Sequence, residues 1–221
     1  MSALDAVLFD FGHTLFDNAD ATARAAALAT ESGQPFDAQA FGLTYAAVRE
    51  RSRTPEELAK GRDLSAALHR SCWLALLAPF DELVPGLAEV LYGFESGVHG
   101  WVPYPDSAAT LDALAGAGLR IGVVSDTGWD LRPLFAMHGL DRHIESWMFS
   151  FEHGAAKPAP RLFETACAEL GVDPRRTLMV GDSYLTDGGA ADAGLLALVL
   201  PGVPNGAFRG LDAVLRVAGV A

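Results

Sequence analysis

Four short stretches carry the side chains that could do chemistry, and three of them close an apolar run. Asp10 follows Val7-Leu8-Phe9 and opens the turn Phe11-Gly12-His13-Thr14. Ser125-Asp126-Thr127-Gly128 follows Ile121–Val124, and Gly181-Asp182-Ser183, with Asp187 soon after, follows Leu178–Val180. Lys157 stands in the loop Gly154-Ala155-Ala156-Lys157-Pro158-Ala159-Pro160. An acid at the carboxyl end of a buried strand sits where open α/β sheets bind their ligands. A carboxylate there can act as a covalent nucleophile, and carboxylate oxygens suit a hard divalent cation. Each stretch also has a plain structural reading. Ser125–Gly128 can be a helix-capping turn, Lys157 a solvated loop residue, and Asp187 an acid placed at a helix N-terminus.

The elements that must position these groups alternate in type. Ala6–Asp10, Arg120–Ser125, Thr177–Gly181 and Leu196–Leu200 read as strands, with Ser146–Ser150 a weaker fifth. They are apolar without clean alternation, as expected of parallel strands covered on both faces. Between them, Ser107–Ala117, Asp130–His138, Pro160–Leu170 and Asp187–Ala193 read as helices. The alternation predicts an α/β fold: a Rossmann-like parallel sheet with helices on both faces. Residues 17–97 differ. They are rich in Ala, Leu and charge, hold no convincing strand, and break near Gly33–Phe36, Arg53–Pro55 and Pro79–Asp81. This predicts an inserted all-helical cap at 17–97 and a core formed by 1–16 and 98–221.

Composition narrows the classes. The chain has 221 residues, enough for a substantial core. Its formal charge of −12 argues against a nucleic-acid or anionic-membrane partner. Cys72 and Cys167 are the only cysteines and lack metal-ligand spacing, so no disulfide framework is implied. No leader pattern opens the chain, and the late apolar run ending at Pro201 is too short to span a bilayer. The expectation is a cytoplasmic location; oligomeric state stays open.

Taken in order, the four stretches resemble the motifs of the haloacid dehalogenase superfamily, in its helical-cap phosphatase branch. Asp10 matches the first Asp of Asp-x-Asp-x-Thr, and Ser125 matches the Ser or Thr after an apolar strand. Lys157-Pro158-Ala159-Pro160 resembles Lys-Pro-x-Pro, and Asp182 with Asp187 the acidic pair after Gly. Gly188–Gly194 resembles the Ala/Gly-rich helix that follows. The resemblance implies a Mg²⁺-dependent hydrolase of a small phosphorylated metabolite. In it, Asp10 is the nucleophile and forms an aspartyl-phosphate. Ser125, Asp126 and Lys157 hold the phosphate, and Asp10, the Gly12 carbonyl, Asp182 and Asp187 hold the metal. Lys60 and Lys157 are the only lysines, so an ammonium in this loop stands out from the composition.

Gly12 is the departure, because the superfamily's phosphatases carry a second Asp there as general acid. Gly12 keeps the carbonyl and lacks the proton donor, whose help contributes roughly 10²–10⁴-fold. His13 can serve as a substitute acid, the leaving group can be a good one, or the protein can mainly bind a phosphate ligand. A metal-independent dehalogenase is the enzymatic alternative. Lesser candidates have plain readings beside functional ones. His69 and Cys72 read as packing rather than a metal pair. Arg49 and Arg53 read as solvated, or as readers of an anionic substrate tail. Trp129 reads as packing or as lining a pocket mouth. The remaining histidines show no ligand spacing.

Overall fold

The computed structural model describes residues 4–220, so the outermost positions of the expected core, 1–3 and 221, lie outside the described residues. In chain order the elements begin with β1 (Ala6–Phe9) and β2 (Phe16–Asn18). Helices α1 (Thr22–Glu31), α2 (Ala38–Ser52), α3 (Pro55–Leu58), α4 (Ala66–Leu77) and α5 (Leu87–Glu95) follow. The chain returns through β3 (Trp101–Pro103) to α6 (Ser107–Gly116), β4 (Arg120–Ser125) and α7 (Arg132–Met137). Then come β5 (Ser146–Phe149), α8 (Ser150–His153), α9 (Pro160–Leu170), β6 (Thr177–Gly181), β7 (Leu196–Val199) and α10 (Asp212–Ala218).

Five strands form one parallel sheet in the order β5-β4-β1-β6-β7. β1 is central, and its four residues are all buried because alternate side chains enter different cores. Val7 and Phe9 join Ile121, Val123, Leu178 and Val180 under α6, α7 and α10. Ala6 and Leu8 join Met148 and Met179 under α9, which contributes Leu162, Phe163, Ala166 and Leu170. Helices therefore cover both faces, which explains strands that are apolar without alternation. β7 departs from that expectation. It is an edge strand, and Leu196 and Val199 are substantially exposed.

Local signals fix the helices. Asp37 caps α2 by accepting from the amides of Gln39 and Ala40, and Ser65 caps α4 through the Leu68 amide. Pro160 occupies the first turn of α9, and Gly171 ends it in the left-handed region at φ 66°. The helix expected at Asp187–Ala193 is instead a 3₁₀ segment. Gly188 and Gly189 open it with two poor helix formers, and a Cβ at Gly189 would collide with the Pro158 Cβ, so the segment is pressed against the Lys157 loop.

The helical segment packs a core of its own from Ala25, Phe41, Leu76, Leu77, Phe80, Leu87 and Leu91. It joins the sheet through β2 and β3, a two-stranded antiparallel ribbon pairing Phe16 with Pro103 and Asn18 with Trp101. The break expected after residue 16 falls within β2, and the one expected after residue 97 lies just before β3. Ser150 Oγ of α8 adds a second tie, 2.6 Å from the Asp63 carbonyl.

Candidate active site

The sheet brings the four motifs to one end. Asp10 is the residue after β1, and its amide still donates to the Val180 carbonyl of β6 at 2.9 Å. Ser125 closes β4, Gly181 closes β6, and Lys157 arrives on the loop after α8. Lys157 Nζ donates to Asp10 Oδ1 at 2.7 Å and to Asp187 Oδ1 at 2.6 Å, with all three side chains buried. The other Asp187 oxygen accepts from the amides of Asp182 and Ser183 at 3.1 and 3.0 Å. Asp187 thus holds both the ammonium and the turn bearing Asp182. Gly181 permits this: a Cβ there would lie 2.1 Å from Asp187 Cγ. Asp126 Oδ1 accepts from the Lys157 amide at 2.9 Å, tying the Ser125 turn to the Lys157 loop.

Asp10, Asp182 and Asp187 each offer an oxygen within 4.8 Å of the others. Hard carboxylate donors so grouped fit Mg²⁺ or a similar cation. Lys157 occupies one Asp10 oxygen and leaves the other available, and Asp182 accepts no side-chain hydrogen bond among the described residues. Asp187 has both oxygens engaged already, so it suits an ordering role better than a direct one.

The electrostatics agree with a site meant to hold positive charge. Burial pushes Asp10 up to about 8; Lys157 opposes this, while Asp187 and Asp182 add to it. Asp182 is raised by burial and by Asp187. For Lys157, burial works against the charge, but Asp10 and Asp187 outweigh it and the ammonium is held firmly protonated. Burial also raises Asp126.

His13 lies on the same turn with φ 57°, an uncommon left-handed conformation for a residue with a Cβ. The turn is anchored from behind by Arg209, which is 2 % exposed and donates through Nε to the His13 carbonyl at 2.6 Å. Arg209 also donates to the carbonyls of Pro201 and Leu200. In front, Arg49 of α2 places its guanidinium 2.6 Å from His13 Nε2. A guanidinium only donates, so this nitrogen accepts. Burial, with Arg49, Arg53 and Arg209 nearby, lowers the imidazole to about 4.

A cavity of about 460 Å³ opens above these groups, a size suited to a small molecule. Its floor holds Asp10, Gly12, His13, Ser125, Asp126, Lys157 and Asp182. The helical segment supplies Arg49, Arg53, Arg62, Asp63, His69 and Trp73, and Trp101 and Trp129 close the sides. Arg53 ends α2 rather than riding on it. His69 bonds to the Tyr92 hydroxyl at 3.1 Å through Nδ1, while Cys72 is half-buried. Arg62, Asp63, His69, Trp73, Tyr92 and Trp101 are among the wall residues that the sequence alone does not connect to the floor. The placement of those on α4 and α5 depends on how these helices pack, for which no local signal exists. No helix among the described residues is long and apolar enough to cross a membrane.

The chain is similar to known proteins in sequence and fold. The family described as "haloacid dehalogenase-like hydrolase" matches residues 4–194. Glyceraldehyde 3-phosphate phosphatase of Methanothermobacter thermautotrophicus is 34% identical over 101 residues, covering 44% of each chain. (S)-2-haloacid dehalogenase 4A of Burkholderia cepacia is 33% identical over 92 residues, covering 41% of this chain and 40% of its own. The matches span under half the length of these curated relatives. A solved structure of a dehalogenase with an intermediate complex superposes with a TM-score of 0.72 at 22% identity, over 98% of both chains.

Proposed function

This chain belongs to the haloacid dehalogenase-like hydrolase family, and within it we propose a Mg²⁺-dependent phosphatase that hydrolyses a small phosphate monoester through a phosphoryl group carried on Asp10. The observation that carries this reading is Lys157 Nζ bridging Asp10 and Asp187 beside Asp182. A metal-free reaction has little use for three carboxylates gathered this closely.

Each residue then has a task. One Asp10 oxygen attacks phosphorus while Lys157 offsets the combined charge of carboxylate and phosphate. Ser125 and the amide of Asp126 receive the phosphoryl oxygens, while the Thr127 amide donates to Ser150 Oγ at 2.9 Å and braces the turn. The Asp126 side chain holds the Lys157 loop instead. Asp10, the Gly12 carbonyl and Asp182 would hold the metal, with Asp187 ordering them. When bound, Mg²⁺ supplies the positive charge that keeps Asp10 ionised and neutralises phosphoryl oxygens. The helices of residues 22–95 act as a cap that excludes water and limits the substrate to a small metabolite. His13 is poorly placed as the acid, since its Nε2 accepts from Arg49 and carries no proton to give. A cytoplasmic location fits such a substrate.

One observation favours a second reading, a metal-independent dehalogenase: Gly12 offers no acid, and carbon–halogen cleavage needs none. Phosphate and halide release from phosphomonoesters and 2-haloacids, with Mg²⁺ or with chelator, decide between them. We expect phosphate release only with Mg²⁺ and none from Asp10→Asn. Halide release in chelator would replace the phosphatase reading with the dehalogenase one.

A further inference from the structure

The turn after Asp10 has little room for an acid, and its one imidazole proton, on His13 Nδ1, faces Asp17. A Cβ at Gly12 would stand 3.3 Å from Cη2 and 3.4 Å from Cζ3 of Trp101. That indole is pinned, because its N–H donates to the Glu95 carbonyl at 2.7 Å and its ring packs on Phe11 with centroids 4.6 Å apart. At the next position, His13 Nε2 is occupied by Arg49, and Nδ1 faces Asp17 Oδ1 at 3.7 Å. What the turn presents to the cavity is a cation. Arg49 has no carboxylate within ion-pair distance among the described residues; its hydrogen-bond partner is an imidazole. Arg53 lines the same cavity, and its side chain has neither hydrogen bond nor ion pair among the described residues. Glu95 and Asp182 line the same cavity, yet neither guanidinium has a carboxylate within ion-pair distance among the described residues, so both keep donors for a ligand.

We propose that this enzyme lets its leaving group depart as an anion, with Arg49, held in place by His13, receiving the charge that develops on the leaving oxygen. The substrates are then monoesters of acidic hydroxyl compounds, of which phenols are the accessible class, and Trp73, Trp101 and Trp129 give a planar group its walls. This rests on the phosphatase reading above. The bookkeeping of bonds is simple. A bond forms between an Asp10 oxygen and phosphorus as the ester P–O bond breaks. The electron pair stays on the leaving oxygen next to Arg49, and no proton moves. Water then attacks phosphorus, the pair of the acyl-phosphate bond returns to Asp10, and both protons of water leave with the phosphate. A preorganised cation acts on charge that appears only in the transition state.

The test measures kcat/KM with saturating Mg²⁺ for aryl phosphates graded by the acidity of the phenol released. In the unaltered protein the values should fall steeply as the phenol becomes less acidic. Arg49→Gln should steepen the line, with a loss approaching about 10²–10³-fold for the least acidic phenols and less for the most acidic. Arg49→Lys should restore part of it. Gly12→Asp combined with Trp101→Leu, which makes room for an acid, should flatten the line. A shallow line with ready turnover overturns the inference and leaves the phosphatase reading standing. So does an equal loss across the series in Arg49→Gln, or a gain from a ring carboxylate that depends on Arg49, because Arg49 would then be reading a fixed anion. Failure to release phosphate from any monoester, with or without Mg²⁺, overturns both.

Discussion

Lys157 carries more of the site than any other side chain. Its ammonium is buried between Asp10 and Asp187, at 2.7 and 2.6 Å, and each carboxylate depends on it for a counter-charge. Removing one partner of a buried ion pair costs about 3–5 kcal/mol, because the remaining charge stays desolvated and unpaired. Lys157→Met should therefore abolish turnover and lower stability by that order without metal. The freed carboxylates then gain most from a cation, so Mg²⁺ should raise the melting temperature of Lys157→Met by more than that of the unaltered protein. Equal shifts in the two proteins would show that Lys157 and the cation do not share these carboxylates. Asp10, Lys157 and the acidic pair were legible in the sequence because each falls at a strand end or the loop beyond it. Trp101 over Gly12 and Arg49 on His13 were not, since residues 89 and 36 positions away in the chain meet that turn only through the ribbon and α2.

Elements tell a similar story with different exceptions. β1, β4, β5 and β6 lie where the apolar runs place them, and α9 spans Pro160–Leu170 as its Pro and Gly signals require. β2 and β3 escaped because each has three residues, and β3 ends in Pro103, a residue that argues against a strand. Where α4 meets the β4 turn, the contact is close: a Cβ on Gly128 would lie 2.1 Å from the His69 Cβ. Burial there, with Arg62 alongside, lowers the His69 imidazole to about 4. The unfolded chain takes up that proton near pH 6.5 and the folded one does not until about 4, so the His69 contribution to stability is full above 6.5 and is lost as pH falls toward 4. Asp63, raised to about 6 by burial, acts in the opposite direction, so a difference between variants is the useful measurement. The stability advantage of the unaltered protein over His69→Gln should shrink by about 2–3 kcal/mol between pH 7 and 4.5. An advantage independent of pH would mean that His69 titrates normally.

At the scale of the whole molecule, the cavity is walled by two bodies of structure with separate cores, the sheet and the helices of residues 22–95. They are joined by a short ribbon and by contacts that include Arg49 on His13, Asp63 on Ser150 and His69 against Gly128. A ligand that touches both must then tie them together, since binding stabilises whichever arrangement it contacts. A Mg²⁺-dependent phosphate mimic such as orthovanadate would rest on Asp10, Ser125 and Lys157 while facing Arg49 and Arg53 above. At 100 times its dissociation constant it should add about 2.7 kcal/mol of stability. Protection from amide hydrogen exchange should appear in both walls together, at residues 62–69 and at residues 125–128. Asp182→Asn should remove the Mg²⁺-dependent part of both effects. Protection confined to the sheet side would mean that the helices stand by as a fixed wall, and substrate selection would then belong to the turns at the strand ends.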